Sequence, residues 1–133
     1  MAETNSRGYT GKVWIFLKIA SLERNMSSVV KVVRPSGILD GTKAGQFRQE
    51  ITKLVESNVD IVLIDFADVT FMDSSGLGAL VLALKTVRAA GGKLFICSVN
   101  DQIRMLFELT SMDRVFEIYE TREEFENAVA ATN

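Results

Sequence analysis

The chain has 133 residues, 47% apolar and 24% charged, with one cysteine, one proline and no histidine, which fits one folded domain with a single sizeable core rather than a disordered chain. A net charge of −2 from 15 basic and 17 acidic residues gives no basic footprint for nucleic acid. Without histidine no Ser–His–Asp or Cys–His relay and no histidine-ligated zinc or iron site can form, and one cysteine excludes internal disulfides and fits a reducing, cytoplasmic setting.

No run approaches the ~20 apolar residues of a membrane span; the longest, 13–17 and 79–84, stop at Lys18 and Lys85. Residues 1–25 read as an N-terminal extension and 26–133 as the domain. Glu3 and a short apolar stretch fit a secretory signal poorly, and Met26 offers a second start.

From residue 29 the periodicity becomes regular. Residues 29–33 are rich in valine and read as a strand, broken by Pro35-Ser36-Gly37 and resumed at Ile38-Leu39. Ala44, Phe47, Ile51, Leu54 and Val55 fall on one face of a helix. Residues 59–66 (VDIVLIDF) form a nearly continuous apolar strand, as expected where both faces are covered, and 67–73 read as an acidic loop. Leu77, Leu80, Val81, Leu84 and Val87 mark a second helix, stopped by Gly91-Gly92. On this register Gly78, Ala79, Leu82 and Thr86 point away from the core.

Residues 93–99 (KLFICSV) are a third apolar strand, in which Cys97 reads as an inert core residue. Asn100-Asp101 can cap a short helix with Ile103, Leu106 and Phe107 inward. Residues 115–119 read as a last strand. Thr121-Arg122-Glu123-Glu124 fits a capping box for a terminal helix with Phe125, Ala128 and Val129 inward. Strands alternating with helices imply an α/β domain with a small, mostly parallel mixed sheet and about four helices.

In such sheets functional groups gather where strand ends lead into helix N-termini. The most unusual loop of this kind is Phe71-Met72-Asp73-Ser74-Ser75-Gly76-Leu77-Gly78. Serine and aspartate are preferred N-caps, so one of them can serve as a cap alone. A helix N-terminus also favours a phosphate, so a serine here can carry a reversible charge switch of roughly −1.5 to −2. Enzymatic readings fail on the residues: Gly76-x-Gly78 lacks the third glycine of a dinucleotide loop, no Gly-Lys-Ser/Thr exists, and Met72-x-Ser74-x-Gly76 is no hydrolase elbow.

With these residues in place the chain resembles a STAS domain, specifically a bacterial anti-sigma factor antagonist, from about 29 to 129. Gly37-Ile38-Leu39-Asp40, the strand 62–66, residues 69–78 (VTFMDSSGLG), Ala90-Gly91-Gly92-Lys93-Leu94 and 106–112 (LFELTSM) carry the resemblance by their order and spacing. It implies a non-enzymatic binding module without metal or cofactor. Unphosphorylated, such a protein binds a serine-kinase anti-sigma factor and frees the sigma factor; phosphorylated, it lets go, and a metal-dependent phosphatase resets it.

The phosphoacceptor maps onto Ser74, with Ser75 its neighbour. Asp40, Asp73, Ser74, Ser75, Gly76, Gly78 and the outward Leu82 form the implied partner-binding set. The family pattern also calls for a strand just before residue 29; residues 21–28 are polar, and residues 12–19 are the candidate for it. The competing classes are a scaffold or adaptor of this family, stressosome-like or part of a transport complex, and a phospho-aspartate receiver or small nucleotide-binding enzyme. The last lacks the required lysine: Asn100 and Asp101 follow the third strand.

Overall fold

The computed structural model describes residues 29–132; the extension 1–25 and the candidate strand 12–19 lie outside them. Six strands and four α-helices follow in the order β1 (Val30–Val33), β2 (Ser36–Leu39), α1 (Gly41–Glu56), β3 (Ile61–Asp65), β4 (Asp68–Met72), α2 (Ser74–Ala89), β5 (Lys93–Cys97), α3 (Asp101–Leu109), β6 (Glu117–Tyr119) and α4 (Arg122–Thr132). A 3-10 turn, Met112–Arg114, precedes β6. Four strands pair in the order β1-β3-β5-β6, and β2 and β4 form a separate two-stranded sheet. Every ladder among the described residues is parallel.

The apolar run in β3 is explained by burial on both faces. Val62 and Ile64 join the main core with Phe47 and Ile51 of α1, Leu80 and Leu84 of α2, and Ile103 and Phe107 of α3. Leu63 turns to the opposite face, where it meets Cys97 and Phe125 of α4. There Phe125 packs edge-on to Tyr119, with ring centroids 5.7 Å apart, and lies 5.3 Å from Phe95. Cys97 is fully buried, and burial pushes its thiol above the ordinary range.

The helix ends follow local chemistry. Gly91 adopts φ +83°; its N–H reaches Arg88 O at 3.0 Å and that of Gly92 reaches Val87 O at 2.9 Å, the paired C-terminal bonds of a Schellman stop. Asn100, not Asp101, caps α3, its side chain accepting from Ile103 N at 2.9 Å. Thr121 Oγ1 accepts from Glu124 N at 3.0 Å at the start of α4.

Two expectations need correction. Most of the acidic loop 67–73 is a strand, β4, running parallel to β2. Ala79 is buried rather than outward, because α2 presents a wide apolar face on which Gly76, Ala79 and Ala83 alternate with larger residues. Helices α1 and α2 pack on each other more extensively than any other pair of described elements.

Candidate functional site

The two-stranded sheet brings two helix N-termini side by side. Leu39 and Met72 are register partners at the ends of β2 and β4, and each strand is followed by an extended aspartate that caps a helix. Asp40 accepts from Thr42 N at 3.0 Å and from Thr42 Oγ1 at 2.6 Å. Asp73 Oδ1 accepts from Gly76 N at 2.9 Å, and its own N–H donates to Leu39 O at 3.3 Å, stitching the two strand ends together. The Thr42 hydroxyl bond is the main reason that Asp40 titrates below the ordinary carboxylate value; backbone donors and Lys43 add to it.

Asp73 is thus the cap, which leaves both serines on the first turn of α2. Ser74 and Ser75 are exposed, and no hydrogen bond engages either hydroxyl among the described residues. They differ in what they face. A methyl on Gly41, the first residue of α1, would lie 3.7 Å from both Cβ and Oγ of Ser75, so Ser75 borders the neighbouring helix. Both serines stand at the positive end of a helix dipole, directly after the Asp73 cap, and Ser75 lies near the residue that follows Asp40.

Ser75, Gly78 and Leu82 continue along one face of α2, at the i, i+3, i+7 spacing that aligns helical neighbours. Gly78 is exposed and Leu82 retains 46% of its surface, as expected. Gly76 does not belong with them. It is buried, and a Cβ there would meet Leu39 O at 2.1 Å, so this residue lets α2 start hard against the end of β2 and offers no face to a partner.

Residues of β2, β4 and the start of α3 also shape this corner. Thr70 has no register partner, because Gly37 pairs with Val69 and Ile38 with Phe71. This β-bulge breaks the alternation of β4: Val69 and Met72 are buried while Phe71 keeps 45% of its surface, beside Ile38 at 49%. Asn100 Nδ2 holds the bulge by donating to Val69 O at 3.2 Å and Thr70 O at 3.1 Å. Gln102 closes the same edge, accepting from Met72 N at 2.9 Å and donating to Met72 O at 2.8 Å. The side chains of Asn100, the cap of α3, and of Gln102 in its first turn therefore take the place of a third strand. Among the described residues no helix is long and apolar enough to cross a membrane.

Comparison with known proteins places this chain in a family. The family model described as "STAS domain" matches residues 21–125. The chain is 27% identical over 92 residues to the anti-sigma F factor antagonist of Paenibacillus polymyxa, covering 68% of this chain and 79% of that protein. It is 31% identical over 86 residues to the anti-sigma-B factor antagonist of Bacillus subtilis (strain 168), covering 65% and 78%. A crystal structure of a putative anti-sigma factor antagonist from Thermotoga maritima superposes with a TM-score of 0.71 at 26% identity, over 76% of this chain and 87% of that one. The parallel sheet flanked by helices and the extent of the family match together assign the chain to the STAS domain family.

Proposed function

We propose that this chain is an anti-sigma factor antagonist that acts by binding, in the cytoplasm, and is switched by phosphorylation at Ser74. Unphosphorylated, it binds a serine-kinase anti-sigma factor and releases the sigma factor. The kinase transfers the terminal phosphoryl group of a nucleoside triphosphate to the Ser74 hydroxyl, with the nucleoside diphosphate leaving, and dissociates; a metal-dependent phosphatase hydrolyses the ester with water to free serine and inorganic phosphate. Residues 26–133 are the working unit in this reading, with 1–25 an extension. The observation that carries it is an exposed Ser74 with an uncommitted hydroxyl, on a helical turn whose cap is supplied by its neighbour Asp73. Modification therefore leaves the cap intact.

The energetics suit a switch. A phosphate at the first turn gains about 0.3–1 kcal/mol from the helix dipole, so α2 need not unwind. At a protein interface the same dianion has to be desolvated next to Asp40 and Asp73. A penalty of ~3 kcal/mol weakens binding about a hundredfold. Asp40, Asp73, Ser75, Gly78 and Leu82 complete the contact surface in this reading.

The test is affinity capture from lysate of the source cell with wild-type, Ser74→Ala and Ser74→Asp baits, followed by mass spectrometry. Capture of a serine kinase by the first two baits, lost with Ser74→Asp, supports the switch. The same captured set with all three baits reduces Ser74 to a helix residue and favours a scaffold role.

A further inference from the structure

We infer that Ile38 and Phe71 form the apolar contact through which the kinase anti-sigma factor grips this face, next to the serine it modifies. The inference rests on the switch reading above and adds a surface to it. Both are large apolar residues about half exposed, and they are register partners on adjacent strands, so they form one cross-strand pair. Their exposure is built into the backbone. Without the bulge at Thr70, Phe71 would share the buried face of Val69; with it, Met72 fills the core and Phe71 turns out. Asn100 fixes the carbonyls on both sides of this irregularity, and Gln102 locks the residue that follows Phe71.

Position then selects the occupant. Asp40 and Asp73 are extended, so alternation carries Ile38 with Asp40, and Phe71 with Asp73, to the outer side of the two strands. Ser74 is the third residue after Phe71, which keeps their Cα atoms within about 11 Å, and Ile38 lies roughly 5 Å farther across the ladder. A stable protein interface covers about 800 Å² on each side, a disc of about 16 Å radius. A protein that seats Ser74 near the middle of such an interface covers the Ile38–Phe71 pair as well. Aromatic residues such as phenylalanine are enriched at interface cores, and a few well-packed, desolvated side chains near the centre carry most of the affinity, so the partner is expected to offer an apolar pocket beside the groups that meet Ser74.

The experiment uses the full chain and the kinase captured by the wild-type bait, purified, with Kd measured by isothermal titration calorimetry. Phe71→Ser and Ile38→Ser are compared with wild type, Ser74→Asp and the control Leu109→Ser, which removes an exposed leucine from α3. The surface is supported if both serine variants weaken binding at least tenfold while Leu109→Ser stays within twofold. Should Phe71→Ser fail to fold, Ile38→Ser on the other strand carries the comparison. Affinities within twofold of wild type for the serine variants, alongside lost binding by Ser74→Asp, overturn this inference and leave the switch standing. Equal binding by Ser74→Asp and wild type removes the switch reading itself. Sedimentation supplies the last outcome: if wild type dimerises, and Phe71→Ser dissociates the dimer without changing kinase affinity, the pair serves a second copy of this chain and the inference is overturned.

Discussion

Gly76 and Gly78 sit two residues apart in one helix, yet the same substitution is expected to move stability in opposite directions. A methyl at Gly76 would lie 2.1 Å from Leu39 O and 3.0 Å from both Leu39 C and Met72 Cγ. Contact distances are about 3.5 Å, so the methyl overlaps the end of β2 by more than 1 Å. Two of the three atoms are backbone and cannot swing aside. Relief requires α2 to retreat from β2, at about 3 kcal/mol, the upper end of overpacking costs. Alanine recovers about 1 kcal/mol in helix propensity over glycine, which leaves a net loss of about 2 kcal/mol for Gly76→Ala. At Gly78 nothing lies within 4 Å of the added methyl, so Gly78→Ala should gain the full ~1 kcal/mol. Urea melts at constant m-value separate the two by about 3 kcal/mol, with thermal midpoints moving about 4 °C per kcal/mol in a domain of this size. A Gly76→Ala protein as stable as wild type would refute the close approach of α2 to β2 on which the geometry of the serine turn depends.

Replacing Gln102 by leucine removes both side-chain bonds to Met72 and should cost about 1–2 kcal/mol. Hydrogen exchange read by NMR should show faster exchange of the Met72 amide, whereas Gln102→Glu, which keeps an acceptor for that N–H, should retain more of its protection; unchanged exchange in the leucine variant rejects the strap. Arg34 lies 3.0 Å from Asp68 and 3.9 Å from the buried Asp65, and Asp65 also accepts from Ala67 N at 2.9 Å. Arg34→Met should therefore cost only about 1–2 kcal/mol, mostly recovered when Asp65→Asn is added; additive losses in a double-mutant cycle would show that the pair is uncoupled. Because the Thr42 hydroxyl holds Asp40 below its ordinary value in the folded protein, Asp40 contributes stability above the unfolded carboxylate's pKa and loses it as pH falls through the lowered folded value. Thr42→Val should raise the Asp40 carboxyl titration seen by NMR, and its stability deficit relative to wild type should shrink through that acid window; a pH-independent deficit contradicts the assignment.

The alternation of strands and helices was legible because buried positions follow simple periods wherever an element is regular. Phe47 and Ile51 in α1, Val62 and Ile64 in β3, and Leu80 and Leu84 in α2 all face the main core as their spacing indicates. Strand β4 was not legible, because the bulge at Thr70 breaks the period of two and leaves Phe71 outside, while polar residues at 68, 70 and 73 suggest a loop. The serine turn stood out by composition, but local preference did not decide which of three capping residues would cap; tertiary geometry assigned Asp73. Gly76 looked like part of a surface loop because its requirement is set by Leu39, far away in the chain. Asn100 and Gln102 resemble ordinary helix-start residues, and only the fold reveals that their side chains bind a strand about 30 positions earlier.

The exclusively parallel pairing of the described strands also bears on how the chain reaches its native state. No ladder among the described strands is a hairpin: β1 meets β3, and β3 meets β5, across about thirty residues. Pairing of the described strands therefore waits for long loops to close, which slows an α/β domain of this kind relative to a helical bundle. The connectivity lightens this burden at one point. Since β2 follows β1 directly and β4 follows β3 directly, a single closure that aligns Val30 with Ile61 brings Ser36 near Asp68 as well. One search in conformational space thus assembles the β1–β3 ladder of the main sheet and the β2–β4 pair that leads into the serine turn, and the two should appear together in a refolding trace.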